Sequence, residues 1–336
     1  MVRSIGSIVK AGIVKLGFIG QGYVGGSIAD DCERRGYQTV RYALEPQYKD
    51  NAPRIKDCDV VFIAVPTPTT SDGFDSSIVE SALGLVGEGR IAVIKSTLLP
   101  GTTRRLQDRF PDRVVLFSPE FLCEATASYD VAHPMFNIIG LAHDSAGHRK
   151  AADAVQKLLP RSDHNFVIKA EAAELFKYAH NINGYMRVIL ANLLHDLGET
   201  YGVDWADVKA IMDADPMMSP YYNQPVHKGG RGAGGACFIK DMAAFRQLFA
   251  ERCGGDTHGL AILQALEAKN LELLAASGKN QDLVRGVYGE AAASSEPSVQ
   301  NKTPEKKVHA DSDPREVLRE LQAAYTKETA SSNQAA

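Results

Sequence analysis

The stretch Val14-Lys15-Leu16-Gly17-Phe18-Ile19 followed by Gly20-Gln21-Gly22-Tyr23-Val24-Gly25 decides how the fold is read. A short apolar run predicts a strand, and glycines spaced GxGxxG then open a helix over Val24 to Arg35. In that context each glycine has its own task. Gly20 permits the tight turn, Gly22 lets the backbone approach a pyrophosphate at the helix N-terminus, and Gly25 lets the helix lie close on the strand. The turn is therefore read as a dinucleotide cradle that also involves Gln21, Tyr23 and Val24. A ribose-binding acid belongs about 20 residues further on, where the second strand ends Arg41-Tyr42-Ala43-Leu44-Glu45. Glu45 is the carboxylate there, and it reads equally well as a ribose ligand or as a solvated loop charge. Arg41 could meet a 2′-phosphate, so NAD is the expected cofactor and NADP stays open.

Working outward, β-branched apolar runs alternate with helical stretches up to about Ile168. The pattern predicts strands at Gln38 to Tyr42, Val60 to Val65, Ile91 to Lys95, Val114 to Phe117, Asn137 to Gly140 and Phe166 to Ile168. Such alternation is that of an α/β fold with a Rossmann-like, doubly wound parallel sheet. From Ala170 the pattern becomes helical. Glu171 to Tyr201 has apolar residues at helical spacing and no proline, long enough to span two bodies. Further helices are expected at Asp204 to Ala214, Phe238 to Arg252 and Gly259 to Ala276. The expected organisation is a dinucleotide-binding domain over 1–168, a helical dimerisation domain over 169–289 and a disordered tail over 290–336. Within the tail, a short helix is expected from Pro314 to Thr329.

Composition narrows the function. The 336 residues carry a net charge of −4 with dispersed Lys and Arg, which argues against a nucleic-acid partner. Apolar runs such as Val60 to Val65 fall far short of the roughly 20 residues that cross a bilayer, so no membrane association and a cytoplasmic location are expected. The five cysteines are odd in number and lack metal-ligand spacing, which predicts free thiols and no metal site.

A second glycine-rich run, Gly229 to Gly235, leads into Ala236-Cys237-Phe238-Ile239-Lys240-Asp241. A cysteine at a helix start, three residues before a lysine, sits in a field that favours thiolate, as a nucleophile requires. Lys177 and Asn181 are four apart on the long helix and share a face that could hold an oxyanion. Glu120 and Glu124 follow a strand end, where ligands of open α/β sheets bind.

The quoted blocks, with Val65-Pro66-Thr67-Pro68-Thr69, Ser96-Thr97-Leu98-Leu99-Pro100-Gly101-Thr102, Ser118-Pro119-Glu120-Phe121-Leu122 and Glu174-Leu175-Phe176-Lys177-Tyr178-Ala179-His180-Asn181, resemble the UDP-glucose/GDP-mannose dehydrogenases in order and spacing. The resemblance covers residues 13 to about 275. It implies an NAD-dependent oxidation of a nucleotide sugar's primary alcohol to a carboxylate. By matching positions, Cys237 would form a thiohemiacetal and then a thioester. Lys177, Asn181 and Asp241 would stabilise the oxyanion and position water, and Glu120 would act as acid/base through a water held by Thr97. Val65, Pro66, Thr67, Ser96, Glu124 and Lys240 would line the cofactor. Phe121, Leu122, Lys228, Gly232 and Gly234 would line the substrate together with Glu120, Glu124, Lys177 and Asn181. Ala43 stands where family members carry an acid. The family's third domain, which binds the nucleotide half, has no counterpart after Gly289, so a partner chain supplying that surface is one expectation. A homodimer through the long helix is another, because Leu190, Leu193, Leu194 and Leu197 form one apolar face. The alternatives are a single-step dehydrogenase of the 3-hydroxyacid or 6-phosphogluconate type and a catalytically silent NAD-binding partner protein.

Overall fold

A computed structural model of the chain describes residues 14–290, so the expectations for the tail, including its helix at 314–329, lie outside the described residues. Seven strands form one sheet: β1 (Lys15–Ile19), β2 (Gln38–Tyr42), β3 (Val60–Ile63), β4 (Ile91–Ile94), β5 (Val114–Phe117), β6 (Asn137–Leu141) and β7 (Asn165–Lys169), in the order β2-β1-β3-β4-β5-β6-β7. The side-chain alternation of a strand sends its apolar residues to two different cores. Leu16, Phe18, Val60, Phe62, Ile91, Val93 and Leu116 pack on one face, against α1 (Tyr23–Arg34), the short α5 (Ala127–Ala132) and α6 (Ala146–Leu158). Ile19, Val61, Ile63, Ala92, Ile94, Val115 and Phe117 pack on the other, beneath α2 (Ala52–Ile55), α3 (Ser77–Leu83) and α4 (Thr102–Arg109). Burial on both faces explains why these strands read as continuous apolar runs.

The sheet departs from the fully parallel expectation at one junction. β5 pairs antiparallel with β6 through Leu116 with Leu141 and Phe117 with Gly140, while every other pairing is parallel. The chain between β5 and β6 therefore does not return to the amino edge of the sheet. By this register Asn137 to Ile139 run past the end of β5, which leaves Ser118 to Phe136 beside the carboxyl edge, where the site forms.

The long helix α7 (Ala170–Thr200) has 31 residues and so spans roughly 45 Å at 1.5 Å per residue. Its first turns join the sheet, with Ala173 in the second core. Its middle, through Ile182, Tyr185, Val188 and Ile189, builds a third core with Ala233, Met242, Leu263 and Leu273. α8 (Trp205–Ala214), α9 (Gly235–Arg252), α10 (Thr257–Ala276) and α11 (Gln281–Tyr288) complete the helical part. α11 is not evident from sequence. It has 8 residues and is held by Val284 packing with Ile239 and Leu274, and by the Tyr288 hydroxyl donating to Glu267 Oε1 at 2.9 Å.

Glu174 ties α7 to the sheet. Wholly buried at 0% exposure, it accepts hydrogen bonds from Gly101 N at 2.6 Å, Thr103 N at 2.8 Å and Thr103 Oγ1 at 2.6 Å. It thereby caps the N-terminus of α4 from another element. Burial raises its pKa from the usual carboxylate range, and the hydrogen bonds to Thr103 and Gly101 oppose that shift.

Candidate active site

The dinucleotide turn follows the steric logic read from its spacing. Gly20 takes φ +90, and a Cβ there would lie 2.1 Å from the Ala64 carbonyl oxygen. At Gly25 a Cβ would lie 2.1 Å from the Gly20 carbonyl oxygen, so the helix rests directly on the turn. At Gly22, the N-cap of α1, a Cβ would meet nothing within 4 Å. That open face of a helix N-terminus suits a pyrophosphate, and the residues present fit a dinucleotide. Gln21 donates to Gly20 O at 3.0 Å. Ser96 Oγ accepts from Val65 N at 2.9 Å and donates to Val65 O at 2.7 Å, locking the loops after β3 and β4 together, and Thr67 is buried beside them. Arg41 is bound by Glu33 and Asp30 of α1, so it does not stand free for a 2′-phosphate. Glu45 is exposed on the loop after β2.

The Ser118–Glu124 segment crosses the carboxyl edge and is gripped by α7. Lys177 is buried and donates to the Glu120 carbonyl oxygen at 2.7 Å, with its ammonium 4.9 Å from the Phe121 ring centroid. Phe121 in turn packs edge-on against Phe136, Phe176 and His180. Glu120 Oε2 accepts from Leu122 N at 3.1 Å, which turns the segment back on itself. One turn further along α7, Asn181 donates to Asp241 Oδ2 at 2.5 Å, and Lys240 pairs with the same carboxylate. Asp241 is 1% exposed. The buried Tyr178 hydroxyl has no hydrogen-bond partner among the described residues, and the charge of Asp241 reaches it. Thr97, in the loop after β4, is partly exposed.

Cys237 lies in the first turn of α9 and is exposed, as are Cys123 and Cys253. Cys32 and Cys58 are buried, and burial pushes both thiols up to about 11. The expectation that Lys240 acts on Cys237 meets a competitor, because its ammonium is engaged by Asp241. A proximity not evident from sequence links the two halves. The Tyr23 hydroxyl lies near the Cys237 thiol and within reach of the charges of Glu120 and Glu124. Partial desolvation of a ring still 41% exposed, with those groups, raises the Tyr23 pKa above its usual value, so Tyr23 stays a neutral phenol. Cys237, Glu120 and Glu124 thus lie near Tyr23, although these residues come from α1, α9 and the loop after β5.

The glycine-rich loop before Cys237 is clamped from several sides. Lys279 donates to Gly230 O at 3.2 Å and Gly232 O at 2.9 Å, and Asn270 bonds both the N–H and the carbonyl of Ala233. Asn280 accepts from Gly235 N at 2.9 Å, beside Gly234, the N-cap of α9. Arg231 reaches α7, donating to Asn192 Oδ1 at 2.7 Å and Asp196 Oδ1 at 2.5 Å. Lys228 lies with His227 and Lys279 at a small hairpin turn, and Glu45 lies on its exposed loop.

Two family models match this chain. The NAD binding domain of the UDP-glucose/GDP-mannose dehydrogenase family matches residues 34–158, and the central domain of the same family matches residues 171–270. A putative UDP-glucose 6-dehydrogenase of Bacillus subtilis is 32% identical over 232 residues, covering 65% of this chain and 52% of that protein. The structure of a UDP-glucose dehydrogenase from the archaeon Pyrobaculum islandicum is similar with a TM-score of 0.66 at 28% identity, covering 79% of this chain and 69% of that one. A Mycobacterium tuberculosis 3-hydroxyisobutyrate dehydrogenase shares the fold alone, with a TM-score of 0.59 at 15% identity over 84% of this chain and 98% of its own. The chain spans about half the length of the curated relatives it matches.

Proposed function

Because the chain belongs to the UDP-glucose/GDP-mannose dehydrogenase family, we propose that it oxidises the primary alcohol of a nucleotide sugar to a carboxylate through a covalent intermediate on Cys237. The observation that carries this reading is the placement of an exposed thiol, Cys237, near Tyr23 of a turn shaped for a dinucleotide, with the Glu120 and Glu124 carboxylates close to the same tyrosine. Bound NAD supplies the hydride acceptor for each of two oxidations. Glu120, through a water at Thr97, takes the alcohol proton in the first. The Cys237 sulfur then bonds to the aldehyde carbon, its proton passing to the site, and the carbonyl becomes the hydroxyl of a thiohemiacetal. Oxidation of that hydroxyl leaves a thioester. Water held by Asn181 and Asp241 adds to the thioester carbon, the carbon–sulfur bond breaks, and the thiol is restored as the carboxylate leaves. Lys177 and Asn181 stabilise the oxyanion formed on the way, and Glu124 stands between substrate and cofactor.

NADH formation followed by absorbance across UDP-sugars, GDP-sugars and simple sugar phosphates tests the substrate class. At least one nucleotide sugar is expected to support turnover and the simple phosphates to fail. Silence across all nucleotide sugars would contradict the reading.

We further propose that the chain dimerises through α7. Leu190, Leu193, Leu194 and Leu197 are 51%, 47%, 40% and 57% exposed and lie at helical spacing on one face. An apolar stripe of this kind is covered in the simplest way by its symmetry mate. Sedimentation of the double variant Leu193→Glu, Leu197→Glu is expected to give a folded monomer where the parent gives a dimer. No helix among the described residues is long and apolar enough to cross a membrane.

A further inference from the structure

Lys95 directly follows β4 and takes no part in the steps above. Its backbone N–H bonds Ile63 O at 2.8 Å, and its ammonium donates to Ser118 Oγ at 3.1 Å. The acceptor is a neutral hydroxyl. The charged groups that face the ammonium are Glu120, from the loop after β5, and Lys177, from α7. Two lysines therefore grip one short segment, Lys177 through the Glu120 carbonyl and Lys95 through Ser118. A half-buried ammonium with no carboxylate in hydrogen-bond contact is costly to folding, so packing alone gives no reason for a lysine here.

We propose that Lys95 is a positioning residue for Glu120: its ammonium, bonded to Ser118 and near both the Glu120 carboxylate and the Lys177 ammonium, fixes Ser118 to Glu120 and balances the charge of the acid/base group. The inference rests on the role given to Glu120 in the proposed oxidation. Burial lowers the Lys95 pKa to about 8, with Glu120 acting to raise it and Lys177 to lower it. The positive charge is thus present below about pH 8 and lost above it, and activity that needs the charge declines on the alkaline side.

Steady-state kinetics of the full chain and of Lys95→Met and Lys95→Arg, followed from about pH 6 to pH 10 with UDP-glucose and NAD, test this. In Lys95→Met, kcat is expected to drop on the order of 10-fold or more with KM within about 3-fold, and the alkaline decline near pH 8 should vanish. Lys95→Arg should recover much of kcat and carry the decline to higher pH, because a guanidinium keeps its charge. An unchanged kcat and pH profile in Lys95→Met would overturn the proposal. A second arm needs no turnover. In protein labelled with carbon-13 lysine, the Lys95 ε-carbon should titrate with a midpoint near 8, lower in Glu120→Gln and higher in Lys177→Met. A midpoint indifferent to both substitutions would overturn the coupling. If the parent makes no NADH from any nucleotide sugar, the proposed oxidation falls, and the titration alone decides whether Lys95 and Glu120 act together.

Discussion

Cys237→Ser is expected to abolish carboxylate formation, lowering turnover by on the order of 1000-fold or more, while NAD binds as before. The serine hydroxyl is a far weaker nucleophile at neutral pH, so the aldehyde has no sulfur to capture it and the second oxidation has no thiohemiacetal to act on. The dinucleotide turn is built by Gly20, Gly22 and Gly25 on β1 and α1, so it does not depend on the sulfur. Calorimetry with NAD and product analysis with a nucleotide sugar separate the two effects. Alkylation adds a check, since Cys237 should react well ahead of the buried Cys32 and Cys58. Full activity in Cys237→Ser would remove the covalent route.

Substitutions in the glycine turn should split folding from cofactor binding. Gly22→Ala adds a methyl that meets no protein atom within 4 Å. The melting temperature should therefore stay within about 2 °C, whereas NAD affinity should drop on the order of 100-fold, because the methyl occupies the space a pyrophosphate needs. Gly25→Ala drives its methyl to 2.1 Å from the Gly20 carbonyl oxygen, so α1 must shift on β1. That variant should lose about 1–3 kcal/mol or more of stability together with NAD binding. Thermal melts beside NAD titrations distinguish the cases. A Gly22→Ala protein that binds NAD like its parent would show that the pyrophosphate lies elsewhere.

Much of the framework is legible in the sequence because it rests on local periodicity. The β2 and β5 limits agree with the run of apolar residues, and α7 with its unbroken helical spacing. Strand direction leaves no such trace. Nothing in Asn137 to Leu141 distinguishes a parallel partner of β5 from the antiparallel one observed, and that choice is what holds Ser118 to Phe136 at the carboxyl edge. Short elements such as α2, α5 and α11 gain their order from tertiary packing. The site divides in the same way. Gly20, Gly22 and Gly25 announce their roles through spacing, and Cys237 through its place at a helix start. The nearness of Tyr23 to Cys237, the capping of α4 by Glu174 and the bond from Lys95 to Ser118 join residues far apart in the chain. Arg41 is the converse case, a cation that reads as available until Asp30 and Glu33 on α1 are seen to hold it.

The ratio of NADH formed to nucleotide sugar consumed, with the sugar limiting and NAD in excess, tests the covalent two-step oxidation most directly. Removing four electrons from a primary alcohol requires two hydride transfers, so the expected result is two NADH for each sugar nucleotide, with a carboxylate as the product. A ratio of one, with the substrate recovered as a carbonyl compound, would contradict it.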